Sequence, residues 1–405
     1  MMKIVNQCYI YIGLWILYNL QGTLYASGSI LSRGLLAIVL TMSLYYFFYV
    51  NYQYKISSFF KVLNILLLVF TLYGGYNMLF GGQIRLTVGD IVSIPNYYYL
   101  KDIYMSLLSV YGFFHFVKKG WLNEKKIRIL SLLFVIVATA NYLRSQQEAM
   151  TLALEEGSLQ EGFTNNASYE FLYLLPILFF WRKRVIVLNI LLCYMFYFII
   201  MGMKRGAIII GACVFIYMIY RIYMDSKGWT RCVIFLLTYF VLCVGFYFVQ
   251  DIYFSSDYFQ YRIEQTLEGE SSNRDYIYTK FLDHFLHETS GLQFFFGGGA
   301  NATVRIAGAY AHNDWLELAI NQGVLGIVLY LSYFISLFRV TRRNRLVWPQ
   351  WMISLFYIMI LIIFTKSLFS MSYASLSISF SICLGYCLAF DNYNKYEKSD
   401  FMLHR

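Results

Sequence analysis

Three basic side chains stand apart in this sequence because their types and surroundings could do chemistry. Arg205 lies between two apolar runs that almost touch, Arg274 opens an amphipathic segment, and His312 follows the glycines at 297–299. An arginine can bind two oxygens of an anion at once, and a histidine can exchange a proton near neutral pH. The three residues are therefore candidates for an anion site and for a general base.

Arg205 belongs to the stretch 202–206, which separates two apolar runs with almost no loop. An arginine at such a position either extends its side chain to the membrane surface or meets an anion. Lys204 beside it strengthens the positive field and is a candidate substrate-binding residue. The simpler alternative is that Arg205 is an ordinary interfacial anchor.

Arg274 falls in the first turn of a predicted helix, since Ser272 and Asp275 fit a capping box. Apolar residues then recur every four positions, as on an amphipathic helix: Ile277, Phe281 and Phe285. The helix dipole disfavours an arginine in the first turn unless a negative ligand shares the unpaired N–H groups there. An anion site is one interpretation, and a surface arginine paired with Glu270 or Asp275 is the other.

His312 stands with Asn313 and Asp314 just before an apolar helix that Asn321 and Gly323 can end. One face of this helix is predicted from helical spacing and consists of Trp315, Leu316, Ala319 and Ile320. A longer apolar run follows, so the polar residues lie at the mouth of a predicted membrane span. Polar groups at that depth are costly unless they are used.

These polar residues could divide one reaction between them. His312 can take a proton from a hydroxyl, and Asp314 or Glu317 could orient it or share the role of base. Arg305, in the preceding loop, could add to an anion site, and Asn313 is a further candidate for substrate binding. The alternative for a lone histidine at a span mouth is a polar interfacial residue without a chemical role.

Other polar positions carry weaker signals. His284 and His287 are expected to be solvated, and Lys366 is expected to anchor the end of a span. The glycines at 297–299 predict a turn more than a phosphate-binding loop. The outward loops contain no Asp-x-Asp pair and the chain no P-loop, so neither a metal nor a cofactor is predicted.

The composition predicts an all-α, polytopic membrane protein that forms a single integral membrane domain over residues 1–405. Apolar residues make up 59% of the chain and charged residues 13%, whereas soluble domains carry about 25% charged residues. The sixth apolar run is the weakest, because it is short and contains Pro176. We predict about twelve spans, at approximately 4–21, 30–50, 62–80, 98–117, 127–144, 165–180, 185–203, 206–224, 231–250, 315–338, 349–366 and 370–390.

Basic residues fall in every second loop, which predicts that these loops and both termini are cytoplasmic. They account for most of the net charge of +10, so nucleic acid is not a predicted partner. The outward side then carries an acidic loop at 145–164 and a large loop with short helices at 251–311. The N-terminal apolar run has no small-residue cleavage site and is predicted to stay as the first span. The seven cysteines lie in or beside apolar runs, so no disulfides are predicted.

Three motifs together resemble the bacterial O-antigen ligase and polymerase family. In chain order they are Lys204, Arg205 and Gly206; residues 271–274; and His312 and Asn313 with Gly323 and Gly326. The first is similar to the family's Ser-Arg-Gly at the start of a mid-chain span, with lysine in place of the serine. The second is similar to a serine-then-arginine motif that opens a helix of the outer loop. The third resembles the family's most recognisable stretch, and the resemblance covers approximately residues 195–340.

The resemblance implies an integral membrane glycosyltransferase of the GT-C type in the bacterial inner membrane, with its active site facing the periplasm. Such an enzyme takes a glycan from a polyprenyl (undecaprenyl) diphosphate carrier. It passes the glycan, with inversion and without a metal, to an acceptor sugar hydroxyl on lipid A core or on a growing polysaccharide. Arg205 and Arg274 would bind the diphosphate, and His312 would accept the proton. The lipid bilayer and other polysaccharide-assembly proteins are the implied partners.

A lipid-linked oligosaccharide flippase is the main alternative, since it also needs many spans and outward arginines. Such a transporter more often shows repeated halves and a polar path through several helices, and the sequence shows neither. A structural or sensory membrane protein would not need two arginines and a histidine. The motifs do not separate a ligase from a polymerase; we favour a polymerase because each surface polysaccharide usually has its own.

Overall fold

The computed structural model describes residues 5–80, 84–86, 92–94, 97–155, 165–255, 260, 264, 274–368, 370–373 and 377–391. These residues are almost entirely helical, as predicted. The exception is a small antiparallel pair of strands, β1 (Ile84–Leu86) and β2 (Val92–Ile94). The α-helices are α1 (Val5–Asn19), α2 (Ile30–Gln53), α3 (Ser58–Phe80), α4 (Tyr98–Leu107), α5 (Ser109–Lys118), α6 (Glu124–Glu155), α7 (Ser168–Leu174), α8 (Val185–Met201), α9 (Arg205–Asp225), α10 (Trp229–Ser255), α11 (Arg274–Asp283), α12 (Gly291–Phe296), α13 (Ala302–Ala307), α14 (Asp314–Asn344), α15 (Gln350–Ser367) and α16 (Ile378–Ala389).

Several helices are suited to a membrane, which makes the chain a membrane protein. Six among the described residues are long and apolar enough to cross one: Ile30–Gln53, Ser58–Phe80, Glu124–Thr151, Arg205–Asp225, Asp314–Asn344 and Gln350–Ser367. Three shorter helices are also apolar: Val185–Met201, Arg231–Tyr247 and Ile378–Ala389. The total of twelve spans and the outward position of the 251–311 loop stay predictions.

The chain forms two compact units, of which the first consists of residues 1–41, 116–270 and 350–362. The predicted span at 165–180 is broken in this unit. The helix α7 ends at Leu174, and a 3-10 turn follows over Pro176–Trp181. Proline has no N–H to donate and its ring clashes with the preceding turn, so an α-helix cannot run through it undisturbed. The broken segment is buried and packs against α6 and α8.

The second unit consists of residues 42–115, 271–349 and 363–405. Its central helix is α14, which packs against α3, α11, α12 and α13. The predicted span at 98–117 is two helices, because α4 ends at Leu107 and α5 begins at Ser109. The apolar faces predicted around His312 and after Arg274 meet in one buried cluster, with the exception of Trp315, which packs against Tyr330 and Phe334. The buried members of the cluster are Phe281, Phe285, Ala302, Ala311, Ala319 and Ile320.

The helix α14 is interrupted at Gly323, where the backbone has φ 66° and ψ −156°. The interruption confirms the predicted end of a helix at this point, although a second helical segment continues directly. The carbonyls of Ile320 and Asn321 accept hydrogen bonds from the N–H groups of Gly298 and Gly299, at 2.8 and 3.0 Å. Two N–H groups of the glycine loop therefore satisfy helix carbonyls, which agrees with a turn and not a phosphate-binding loop.

Candidate functional site

His312 and Arg274 lie at the same corner of the second unit, where Tyr278 links them. Tyr278 is one turn after Arg274 on α11, so their side chains share a helix face. The Tyr278 hydroxyl donates a hydrogen bond to the backbone carbonyl of His312, at 3.3 Å. The same hydroxyl interacts with the side chains of Arg274 and Asn313. Burial raises the pKa of the Tyr278 hydroxyl, and the positive charge of Arg274 opposes that rise.

The backbone of His312 is in the left-handed region, with φ 51°. This conformation is uncommon for a residue other than glycine, and it is found preferentially at functional sites. The next residue, Asn313, caps α14: its side-chain oxygen accepts the N–H groups of Trp315 and Leu316, at 2.9 and 3.2 Å. The Asn313 amide also donates to the carbonyl of Leu368, at 2.8 Å. His312 is thus held just outside the helix by a fixed turn.

The Asp314 carboxylate is fully buried and joins the start of α14 to residues 372 and 373. Its Oδ1 accepts the backbone N–H of Ser372 at 2.8 Å. Its Oδ2 accepts the Tyr330 hydroxyl at 2.6 Å, the Tyr373 N–H at 3.3 Å and the Ser372 hydroxyl. A carboxylate has about four acceptor sites, so these donors occupy most of its capacity. The observed contacts are those of a carboxylate that positions chain segments.

Lys366 is buried, with 3% of its surface exposed. Its ammonium donates to the carbonyl of Met371 at 2.6 Å and interacts electrostatically with Asp314. The prediction that Lys366 anchors the end of a span at the membrane surface is therefore wrong. A lysine inside the protein needs a nearby negative charge and acceptor atoms, and Asp314 and Met371 supply them.

The Glu317 carboxylate is also buried and holds the loop before His312 against α14. Its Oε1 accepts the Thr303 hydroxyl at 2.6 Å and the Asn321 amide at 3.0 Å. Its Oε2 accepts the backbone N–H of Ala311 at 2.9 Å. Ala311 directly precedes His312, so Glu317 fixes the position of the histidine through the backbone.

Arg305 lies on the short helix α13 and faces the glycine loop. Its guanidinium donates to the carbonyls of Ala300 and Gly298, at 2.7 and 2.6 Å, and to the Asn77 side chain at 3.4 Å. Burial lowers the pKa of the Arg305 guanidinium from its ordinary value. These contacts close the loop onto α13; a role in anion binding stays a prediction.

Arg205 and Lys204 belong to the first unit, at the turn between α8 and α9. Arg205 is the first residue of α9, and Lys204 precedes it in extended conformation. The turn is tight, because a Cβ on Gly202 would lie 2.4 Å from the Cβ of Ser168. The Gly202 carbonyl accepts the N–H of Asn165 at 3.0 Å, which fixes the turn in the unit. The predicted place of Arg205, at the start of an apolar helix, is confirmed.

Two further sets of predictions concern the loops that the sequence places on the outward side. Ser272, and with it the predicted capping box, lies outside the described residues, as do residues 156–164 of the acidic loop. The histidines of the loop helix are not equally solvated: His287 is exposed, whereas His284 lies 2.6 Å from the carboxylate of Glu288.

The segment that holds these residues is similar to a known protein family. Residues 190–331, about a third of the chain, match the family model described as O-antigen ligase. The resemblance to the O-antigen ligase family is confirmed. The matched segment includes Arg205, Arg274, Arg305, His312 and Glu317. No curated protein matches the chain. The match to O-antigen ligases and the apolar helices together indicate a membrane enzyme of the glycosyltransferase kind.

Sequence reasoning missed the residues that connect the site. Tyr278 belongs to no motif, although its place one turn after Arg274 puts the two side chains on one face. Ser372 and Thr303 carry no motif, and only the fold brings them to Asp314 and Glu317. No spacing rule joins residues that are 58 positions apart, as Asp314 and Ser372 are.

Proposed function

We propose that the chain is a GT-C type glycosyltransferase that moves a glycan from polyprenyl diphosphate to the hydroxyl of an acceptor sugar. The acceptor oxygen attacks the anomeric carbon of the donor glycan from the face opposite the diphosphate. The bond between that carbon and the phosphate oxygen breaks, so the configuration inverts and polyprenyl diphosphate leaves. His312 takes the proton that the hydroxyl loses, and the reaction needs no metal.

The observation that carries this proposal is the meeting of Arg274, Tyr278 and His312 at one corner of the second unit. A leaving diphosphate gains negative charge as its bond breaks, and a fixed arginine stabilises that charge best where it can donate two hydrogen bonds. A base must lie next to the same reaction centre, because the attacking hydroxyl loses its proton there. The placement of Arg274 and His312 on either side of Tyr278 supports both requirements. The family resemblance assigns the diphosphate to Arg205 as well.

The strained backbone of His312 supports the same interpretation. A left-handed histidine between a cap residue and a loop held by Glu317 has little freedom to move. Such fixed placement lowers the entropy cost of bringing base and hydroxyl together. We propose that this corner faces the outside of the bacterial inner membrane, and that the product is O-antigen or another surface polysaccharide. Between polymerase and ligase we favour polymerase, because each surface polysaccharide usually has its own.

The deciding experiment is reconstitution of the purified full chain with undecaprenyl-diphosphate-linked glycan and an acceptor saccharide, in EDTA. The expected result is a new glycosidic bond, detected by mass spectrometry, together with release of undecaprenyl diphosphate. The same vesicles report on the alternative: a flippase moves the lipid-linked donor across the bilayer and yields no new glycosidic bond. Donor movement without product would overturn the proposal, and so would a strict requirement for added magnesium.

A further inference from the structure

A cavity of about 240 Å³ opens beside the loop that carries His312, entirely within the second unit. Aromatic rings form much of its wall, among them Tyr99, Tyr310 and Tyr373. Its polar lining comes from Asp102, Asn301 and Glu317. Pockets for drug-sized ligands begin at about 300 Å³, so this cavity has the size for a smaller molecule, such as one sugar ring.

Asn301 lines the cavity and carries a buried side-chain donor without a hydrogen-bond partner among the described residues. Its side chain is 4% exposed and lines the cavity, and its Nδ2 has no hydrogen-bond acceptor among the described residues. A buried amide donor without a partner costs about 1–3 kcal/mol, so such groups in folded proteins usually await a ligand or water. The atom is a donor, which excludes a bare cation as the group that completes it. The missing partner is an oxygen acceptor.

The two carboxylates of the cavity are hydrogen-bond acceptors, so a ligand must supply donors to them. Glu317 uses three acceptor positions on Thr303, Asn321 and Ala311, and a carboxylate has about four. The Asp102 carboxylate is partly exposed and is 3.2 Å from the Lys101 ammonium. A ligand that fits must therefore offer both an acceptor and donors. Hydroxyl groups do both, and the apolar faces of a sugar ring can lie against tyrosine rings.

The charge of the residues that line the cavity favours an uncharged sugar over an anionic one. None of the described residues that line the cavity is basic, and two are carboxylates. Burial and the negative charges of Glu317 and Asp102 raise the pKa of the Tyr310 hydroxyl to about 12, so this group stays a neutral donor. The Lys101 ammonium beside the cavity is already paired with Asp102, so a phosphate or a uronic acid would meet the Glu317 carboxylate without a cation of its own.

We propose that this cavity binds an uncharged, hydroxyl-rich sugar ring. Under the proposed function, on which this assignment rests, that ring is part of the acceptor saccharide. The diphosphate of the donor is then bound elsewhere, at Arg274, and the cavity positions the acceptor beside the loop of His312. An anionic substrate and an uncharged one would thus have separate binding surfaces.

The test is ligand-observed NMR on the purified full chain in nanodiscs free of glycoside detergents. The probes are glucose, galactose and N-acetylglucosamine as neutral sugars, and glucuronic acid and inorganic pyrophosphate as anions. At least one neutral sugar should bind at millimolar concentration, and neither anion should displace it. Asp102→Asn and Asn301→Gly should each weaken that binding about tenfold. Glycine at 301 suits the observed φ of 56°.

The matched control is Asp283→Asn, which makes the same chemical change on an exposed part of α11 and should leave sugar binding unchanged. Absence of binding by all three neutral sugars, equal binding by wild type and both cavity variants, or displacement by pyrophosphate would each overturn the inference. Asp102→Asn keeps the test decisive if Asn301→Gly does not fold.

The outcomes separate this inference from the proposed function. If the cavity variants lose sugar binding but no donor yields a transfer product, the inference stands and the glycosyltransferase proposal fails. If transfer occurs and the cavity variants bind sugar and react as the wild type does, only the inference fails. If both hold, the variants raise KM for the acceptor and leave KM for the donor unchanged.

Discussion

Gly297 and Gly323 approach each other so closely that neither has room for a side chain. A Cβ on Gly323 would lie 2.7 Å from the backbone nitrogen of Gly297, and a Cβ on Gly297 would lie 2.4 Å from the backbone of Asn321. Both residues also have positive φ, at 73° and 66°. The contact fixes the glycine loop on the break in α14, and with it the segment that leads to His312.

Replacing Gly323 by alanine should therefore destabilise the protein. The strain of a positive φ and the clash with Phe294 and Gly297 together should lower the free energy of unfolding by about 3 kcal/mol. Thermal unfolding in nanodiscs measures the change. The control is Gly75→Ala on α3, where a Cβ meets nothing within 4 Å and stability should be unchanged or raised by about 0.5 kcal/mol. Equal Tm values for the two variants would contradict the role of the contact.

Arg274→Lys and Arg205→Lys should each lose most glycan transfer while the protein still inserts. A lysine keeps the charge but cannot donate two parallel hydrogen bonds to a diphosphate. We expect a loss on the order of 10² in kcat/KM, measured in the reconstituted reaction. Arg345→Lys is the matched control, since Arg345 is exposed beyond the end of α14. Near-normal transfer by both variants would make the two arginines anchors.

His312→Asn should abolish transfer and leave donor binding nearly unchanged. Asparagine tolerates the left-handed backbone of residue 312 but cannot act as a base near neutral pH. Loss of a general base typically costs about 10²–10⁴ in rate, and His312→Ala should behave similarly with added backbone strain. His287→Asn, on an exposed histidine, is the control. Lost donor binding would instead assign His312 to the diphosphate, and near-normal transfer would exclude it as the base.

Asp314→Asn should destabilise the protein, and it should lower glycan transfer only through the loss of folded protein. Asparagine replaces one of the two accepting oxygens by an amide nitrogen, so either the Ser372 N–H at Oδ1 or the Tyr330 and Tyr373 donors at Oδ2 lose their acceptor. We expect a loss of about 2–3 kcal/mol in the free energy of unfolding, and transfer in proportion to the folded fraction. The same measurement applies to Glu317→Gln. A folded Asp314→Asn variant without transfer would make this carboxylate the base.

The orientation predicted from the basic loops is tested by reporter fusions. Fusions at residues 160 and 290 should report an external position, because both fall in loops without the excess of lysine and arginine that marks the cytoplasmic side. A fusion at residue 227, beside Lys227 and Arg231, is the control and should report the cytoplasm. A cytoplasmic signal at 160 or 290 would contradict the predicted topology.

The sequence by itself determined the features that depend on near neighbours in the chain. Apolar length predicts membrane helices, and a four-residue repeat predicts the buried face that holds Phe281 and Phe285. Helical spacing after His312, Asn313 and Asp314 predicts a helix there, and α14 begins at Asp314. These are local properties, because helices are built from hydrogen bonds between residues four positions apart. The family resemblance is local as well, since its motifs are short.

Only the tertiary structure decided which polar groups satisfy one another. Asp314 meets Ser372, Lys366 turns inward to Met371, and Tyr278 reaches the carbonyl of His312. Buried polar atoms must find partners, but spacing along the chain does not say which distant residue supplies them. For that reason the sequence indicated the candidate residues, whereas the fold separated those with positioning contacts, such as Asp314 and Glu317, from the corner formed by Arg274 and His312.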